Sequence, residues 1–388
     1  MALPLVYNVR NVAARRVATL MTALGIALVV FIFVWFLALS SGFKKALVST
    51  GRADNILVVR SGATSEVQSG LDREATQILF ANAAVATAKD GSTPLATAEA
   101  VIIVNIPRKD GIVANVTVRG VSPAAFEVRP YVRVTQGRQP TPGLAELMVG
   151  KALARRFGNL NVGDTAMIGG DPWSVVGIFD SGGSAFESEM WGDVEVILSS
   201  FQREGFQSVT FRMKDPTQAE AIKTELEAEP RMRLQVFPER TYYSDQSQMM
   251  SGILTFLGTF IAAVISIGAV FGALNTMYAA VDARTREIAT LRAIGFSPAS
   301  ITTAFVIESV LIALLGGVIG CLLALPFNGL STGTTNWASF SEVAFYFRIT
   351  PALVAAGLIF SAVLGVIGGV LPALKAARSP VAAALRAN

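Results

Sequence analysis

Four long apolar runs interrupt an otherwise mixed chain: Val17 to Leu39, Gly252 to Val281, Ile301 to Leu325 and Ile349 to Leu374. Each is long enough to cross a hydrocarbon core, which needs roughly 20 predominantly apolar residues in helical form. The second run, at roughly 1.5 Å per residue, exceeds what a core of roughly 30 Å requires, so it predicts a helix that extends beyond the bilayer. The first run continues without breakers through Phe43-Lys44-Lys45-Ala46-Leu47. Two such extended helices entering the same outer segment predict a stalk.

Between the first and second runs, from about Gly42 to Met250, the pattern changes to short Val- and Ile-rich stretches flanked by Gly, Pro, Asp or Asn. That predicts strands at Ile56 to Arg60, Val101 to Ile106, Val113 to Val121, Thr165 to Gly169, Trp173 to Phe179, Val194 to Leu198, Val209 to Lys214 and Leu234 to Phe237. Helices are predicted at Asp72 to Ala84, Lys151 to Phe157 and Pro216 to Glu229. The fold class is therefore a membrane protein with four transmembrane helices. A large extracytoplasmic α+β domain with two lobes is inserted between the first and second helices. One lobe comes from the domain's first and last thirds, as two β-α-β units, and a β-rich lobe is inserted at about 110–205. Asp180 to Trp191, with Glu187 and Glu189 among glycines and serines, reads as a solvated loop.

The expected boundaries are a cytoplasmic interfacial amphipathic helix at 1–16, helix 1 with its stalk at 17–41, the outer domain at 42–250 and helix 2 at 251–281. A cytoplasmic segment at 282–297, helix 3 at 298–326, an outer loop at 327–348, helix 4 at 349–374 and a cytoplasmic tail at 375–388 complete the chain. The outer loop carries Trp337, Phe340, Phe345, Tyr346 and Phe347, an aromatic cluster suited to a membrane interface.

The 282–297 segment is the most structured of the short connections. Ile288, Leu291 and Ile294 recur at spacing three among Arg284, Arg286, Glu287 and Arg292, which predicts a short amphipathic helix. Gly295 suits its C-terminal stop, and Ser297-Pro298 supplies an N-cap and N1 proline for the next helix. The run from Arg284 to Gly295, followed by Glu308 and Gly316-Gly317, resembles the FtsX/MacB-type permeases of ABC transporters, the type VII or mechanotransmission class. The Leu371-Pro372-Ala373 and Arg378-Ser379-Pro380 segments share that resemblance.

The resemblance implies an ATPase-coupling element made of Arg284, Arg286, Glu287, Ile288, Leu291, Arg292 and Gly295. It also implies a cytoplasmic ABC ATPase subunit as partner, a homodimer or paralogous permease, and motion transmitted to porter-like and Sabre lobes outside the membrane. Export with a periplasmic adaptor and outer-membrane duct is the leading expectation. Lipoprotein extraction and FtsX-like regulation of a cell-wall hydrolase are the alternatives, and a membrane-anchored sensor is a weaker one.

Composition agrees with a membrane protein: 388 residues, 52% hydrophobic and 15% charged, with a mean hydropathy of +0.52. Arg10, Arg15 and Arg16 before the first run, the 282–292 arginines, and Lys375, Arg378 and Arg386 after the last one place both ends in the cytoplasm by the positive-inside rule. Those flanks account for the net charge of +4, so no nucleic acid is implied and membrane lipids are the natural surroundings. The first run is too long for a signal-peptide core and is expected to stay.

No histidine is present and Cys321 is the single cysteine, so no catalytic residues, metal site or disulfide are expected. With no G-x-x-x-x-G-K-[ST] sequence, no cofactor is expected in this chain, and ATP and magnesium are expected in the partner ATPase. Within the spans, Gly268/Gly272, Gly316/Gly320 and Gly365/Gly369 form small-residue pairs that allow close helix approach. Asn275 and Glu308 are the intramembrane polar residues, and for Glu308 a structural pair with Asn275 or Arg292 is expected at least as much as a place in an ion pathway.

Overall fold

A computed structural model describes residues 16 to 378. The expected interfacial helix and most of the cytoplasmic tail lie outside the described residues. Two compact units emerge. The membrane unit comprises residues up to Ser41, Gly252–Gly329 and from Phe347 onward, and the outer unit comprises Gly42–Ser251 with Leu330–Tyr346.

In the membrane unit the four expected spans are helical: α1 (Arg16–Val48), α6 (Glu239–Ala283), α8 (Pro298–Ala324) and α9 (Pro351–Arg378). Helix α6 runs 45 residues and starts well before the apolar run. Its first turns, Glu239 to Met250, are polar enough to escape a hydropathy reading but contain neither Gly nor Pro, so nothing stops the helix there. Glycines decide the packing. A Cβ at Gly316 or Gly320 would meet the Ala23 or Ala27 carbonyl oxygen at 2.5 or 2.6 Å, so α1 backbone runs directly against α8. Gly365 and Gly369 face Val310 and Ser309 of α8 in the same way, and the Ser309 hydroxyl donates to the Gly365 carbonyl at 2.7 Å.

The outer unit is built on one hydrogen-bonded path of strands: β1 (Asn55–Arg60), β2 (Ala96–Pro107), β3 (Val113–Val121), β4 (Arg133–Gly137), β5 (Glu146–Gly150), β6 (Thr165–Ile168), β7 (Asp171–Asp180), β8 (Glu189–Asp193), β9 (Ser208–Arg212) and β10 (Leu234–Pro238). The order is β10-β1-β9-β2-β3-β8-β5-β7-β4, with β6 on β7. The strands β10, β1, β9 and β2, with α2 (Arg73–Phe80) after β1 and α5 (Ala219–Glu227) after β9, are the two expected β-α-β units interleaved, and α3 (Lys151–Arg156) follows β5. Strand β2 pairs β9 through Ala96–Glu99 and β3 through Ala100–Pro107, so the expected lobes share a strand and a sheet. Along β1, Ile56 and Val58 enter one core while Leu57 and Val59 enter the other, the period-2 alternation of a strand buried on both faces.

Three expectations fail here. Val194–Ser200 is a helix, α4, rather than a strand. The Asp193 carboxylate accepts from the Glu195 and Val196 amides as an N-cap, and Val194, Ile197 and Leu198 form a helical stripe. Strands β4, β5 and β8 were not predicted, because their mixed sequences lack a sustained Val/Ile run. The supposed solvated loop is buried: Phe186, Glu187, Ser188 and Trp191 are all inaccessible.

The outer loop is a hairpin of β11 (Ser331–Thr335) and β12 (Glu342–Tyr346) that belongs to the outer unit. Its aromatic cluster is therefore divided. Phe345 is buried edge-on against Phe43, Phe347 packs on Trp35 within the membrane unit, and Trp337 and Phe340 stay exposed.

Candidate functional site: the cytoplasmic connection and the buried charge network

The connection between α6 and α8 contains a nine-residue helix, α7 (Thr285–Ala293). Its end is a Schellman cap. The Phe296 amide bonds the Leu291 carbonyl, and the Gly295 amide bonds the Arg292 carbonyl. Gly295 has φ of +103°, a conformation that favours glycine. Ser297 then caps α8 through the Ser300 amide, with Pro298 in the first turn.

The seven residues expected to contact an ATPase divide into two sets. Arg284 turns inward and pairs with both carboxylate oxygens of Glu308, at 2.9 and 3.2 Å, with Phe305 beneath the guanidinium. Arg292 donates to the Ala377 carbonyl near the end of α9. Ile288 is buried and Leu291 half-buried in the bundle. Beside them Lys375 reaches Asp282 at 3.1 Å and lies over the Tyr278 ring. Arg286 and Glu287 lie on the accessible side with Thr290 and Ala293, and Ile294 is 68% exposed there.

The expected partner of Glu308 is thus corrected from Asn275 or Arg292 to Arg284. Arg284 stands where its guanidinium fork meets the carboxylate face on. Asn275 instead lines an open groove of about 500 Å³ with Met21, Gly25, Ile265, Gly268 and Gly272. A Cβ at Gly268 or Gly272 would meet nothing within 4 Å, unlike the other two glycine pairs.

The outer unit holds a second constellation that the sequence reading missed. Arg119 and Arg129 are fully buried and share four carboxylates, Glu66, Glu99, Glu189 and Glu239. Arg119 places Nε 2.7 Å from Glu189, and its Nη1 lies 2.8 Å from Glu66 and 2.7 Å from Glu99. Arg129 donates to Glu239 at 2.6 Å, to Glu99, and to the Thr210 hydroxyl at 3.0 Å. The Phe186 ring lies under both guanidiniums, at 5.1 and 5.0 Å. Glu239 is the first residue of α6, and Tyr243 one turn later donates to Glu66 at 3.0 Å.

Burial alone would depress both arginines, but the facing carboxylates hold them well above the ordinary guanidinium value. Burial works the other way on Glu66, and Arg119 overcomes it, leaving that carboxyl below its ordinary range. Burial raises Glu189, with Arg119 offsetting only part of the effect. A signal was available in the sequence. A lone Glu99 within Ala96–Val104 and a lone Arg119 within Val116–Val121 put charge into strands that are otherwise apolar, which requires buried partners.

No group of acidic or cysteine side chains suited to a metal occurs among the described residues. The arrangement is a bundle with a braced cytoplasmic connection and a sheet domain whose centre is tied to the first turn of α6, the architecture of an ABC-transporter permease of the FtsX class. The chain belongs to the MacB/FtsX permease family. Residues 19–229 match the MacB-like periplasmic core domain and 259–381 the FtsX-like permease C-terminal region. It is a multi-pass protein of the bacterial inner membrane.

Among its relatives, the macrolide export ATP-binding/permease protein MacB of Pasteurella multocida is 28% identical over 95% of this chain and 58% of its own length. The MacB of Bordetella avium is 29% identical over 94% and 57%. The ABC transporter permease YknZ of Bacillus subtilis is 29% identical over 58% of this chain and 57% of its own. The chain thus spans less than three fifths of the length of these curated relatives. Among solved structures, the extracellular domain of YknZ matches 47% of this chain at 17% identity with a TM-score of 0.37. The periplasmic region of MacB from Actinobacillus actinomycetemcomitans matches 50% at 13% identity with a TM-score of 0.36.

Proposed function

We propose that this chain is a non-catalytic permease subunit that takes ATP-driven motion from a separate cytoplasmic ABC ATPase and delivers it to its outer domain. That domain then moves a substrate already outside the inner membrane, with a periplasmic adaptor and outer-membrane duct as the export route. ATP and magnesium belong to the ATPase subunit. A second permease, identical or paralogous, packs along the groove of Gly268 and Gly272.

The observation that carries the reading is the division of α7 into two faces. Arg284 and Arg292 tie it to α8 and α9, and Arg286, Glu287 and Ile294 are left on the accessible face. A helix braced to two spans and capped by a left-handed glycine transmits a push on its accessible face rather than absorbing it. Beyond α7, Glu239 and Tyr243 fix the start of the unbroken α6 into the sheet's charge network. For motion to follow nucleotide, ATP must bind one of the two permease states more tightly than the other.

The test is co-purification of the ATPase and stimulated ATP turnover for Glu287→Lys and Gly295→Val beside the native chain. Glu287→Lys should weaken ATPase capture by about tenfold, the equivalent of roughly 1.4 kcal/mol at a charged contact. Gly295→Val should keep capture but uncouple turnover from transport, because a β-branched residue resists positive φ. Normal capture and transport by both would remove α7 as the transmission point, and turnover by the purified chain alone would overturn the non-catalytic assignment.

A further inference from the structure

The outer unit has a polar cleft of about 420 Å³ between the tip of the β2–β3 hairpin and the β11–β12 hairpin, lined by Arg108, Ile112, Val113, Asn115, Thr334 and Glu342 among others. Two guanidiniums converge on one carboxylate of that lining, Glu342: Arg108 stands in the cleft wall and Arg156 lies behind Gly333. Arg156 Nη2 pairs with Glu342, and Arg108 Nη1 lies 3.4 Å from each Glu342 oxygen, a long and weak contact. Two N–H groups are left over. Arg108 Nε and Arg156 Nη1 are buried without a hydrogen-bond partner, although Asp110 Oδ1 stands 3.4 Å from the former in poor geometry. The two side chains are only 20% and 17% exposed, so bulk water does not serve them freely. A buried charged donor left unmade is costly and calls for an occupant.

The surroundings define that occupant's chemistry. Arg108, Lys109, Arg155 and Arg156 stand against Asp110 and Glu342 alone, so the patch is cationic. Burial pushes Arg156 below its ordinary value; Glu342 opposes this and the neighbouring Arg108 adds to it. An incoming anion would relieve both strains. Gly333 lets the Arg156 guanidinium lie directly against the hairpin backbone at the cleft, since a Cβ there would collide with Arg156 Nη1. The rim is apolar: Ile112 and Val113 are exposed, and so is Phe340, whose carbonyl is held by Asn115 at 2.8 Å.

We propose that this cleft binds an oxyanion, a carboxylate or phosphate, carried on an apolar body, with Arg108 and Arg156 completing their hydrogen bonds on the anion and Ile112 and Val113 covering the apolar part. The inference stands apart from the coupling reading, because no ATPase contact enters it. The anion arrives on either a free amphiphile or a membrane lipid.

Calorimetry on the full chain in a non-ionic detergent tests it with three probes: dihexanoyl phosphatidic acid, dihexanoyl phosphatidylcholine and inorganic phosphate. The phosphatidic acid should bind, the zwitterionic choline lipid should not, and phosphate should bind more weakly than the lipid. Arg108→Gln and Arg156→Gln should each weaken binding by about tenfold or more, as expected for loss of a charge-assisted hydrogen bond. Gly333→Ala, which displaces the Arg156 fork without removing a charge, should do the same. It keeps the proposal testable if an arginine variant fails to fold. Reconstitution into nanodiscs containing phosphatidic acid separates the sources: loss of binding by the soluble probe identifies bilayer lipid, and undiminished binding identifies a free amphiphile. Equal binding of phosphate and phosphatidic acid would overturn the apolar component. Failure of both anions to bind, or binding indifferent to all three variants, would overturn the site.

Discussion

Glu308 Oε2 lies 2.9 Å from Arg284 Nη1, so the acid buried in the third span is answered by the residue that immediately precedes the cytoplasmic helix. A carboxylate at that depth needs a partner, because hydrocarbon offers none. The fork of an arginine supplies two hydrogen bonds at once, which fixes direction as well as distance. The pair therefore does for α7 what a point charge could not: it sets the orientation of the helix on α8.

Removing one member should be far worse than removing both. Glu308→Gln or Arg284→Gln leaves a buried charge alone, at a cost of roughly 3–5 kcal/mol, whereas Arg284→Met with Glu308→Leu replaces the pair by packing and should recover much of that loss. Thermal unfolding of the four proteins in detergent reads the difference. A double variant as unstable as the singles would show that the pair is not the unit that matters.

Much of this was legible. Hydrophobic run length marks the four spans, and Gly295-Phe296-Ser297-Pro298 marks the corner between α7 and α8, because cap chemistry is local. The partner of Glu308 was not, since Arg292 is the nearer of the two arginines in sequence and only the path of the connection selects Arg284. The same limit hid the outer network. Glu66, Glu99, Glu189 and Glu239 are scattered over the domain and meet only when β1, β2, β3, β8 and β9 are paired. The family resemblance pointed to α7 as a whole, and only the packing separated its inward arginines from its accessible face.

Arg129 is the member of that network whose loss should be most damaging to the outer unit. It serves Glu239, Glu99 and Thr210 together. Arg129→Met leaves buried Glu239 without its guanidinium and Glu99 with Arg119 alone, and should cost roughly 3–5 kcal/mol. Arg129→Lys should rescue little, because an ammonium cannot span three acceptors in a plane. Limited proteolysis of the full chain with fragment mapping would locate the damage. Protection equal to the native chain in both variants would refute the anchoring role.

Acidity should act on the network through two carboxyls of opposite sign. Glu189 is raised in the folded state, by burial; its contribution is present below the unfolded carboxyl value, roughly 4.3, and is lost as pH rises through the folded value. Glu66 is lowered because Arg119 outweighs burial; its contribution is present above the unfolded value and is lost as pH falls through the folded one. Glu189→Gln should therefore flatten the decline of stability on the alkaline side of the unfolded value while leaving the acid limb, where Glu66 acts, in place. Chemical denaturation across pH for the native chain and this variant measures both limbs. A variant curve parallel to the native one over the whole range would contradict the assignment.

The three glycine pairs should respond in two different ways, and this separates packing within one chain from packing between chains. At Gly316 a Cβ would meet the Ala23 carbonyl at 2.5 Å, and at Gly365 it would meet the Val310 Cα at 2.8 Å. Backbone cannot step aside as a flexible side chain can, so Gly316→Ala and Gly365→Ala should each destabilise the isolated chain, by about 1–3 kcal/mol for overpacking. At Gly268 nothing lies within 4 Å. Alanine there meets no intrachain neighbour and is the better helix former by about 1 kcal/mol, so Gly268→Ala should leave the monomeric fold as stable as before or more so. If a second permease packs along that groove, the added bulk of Gly268→Val should instead lower the dimer fraction without moving the unfolding midpoint of the monomer. Light scattering and thermal unfolding on the same samples distinguish these effects. Equal destabilisation by Gly268→Ala and Gly316→Ala would mean that the open face of α6 is closed within the chain itself, and loss of dimer in neither Gly268 variant would place the second subunit elsewhere.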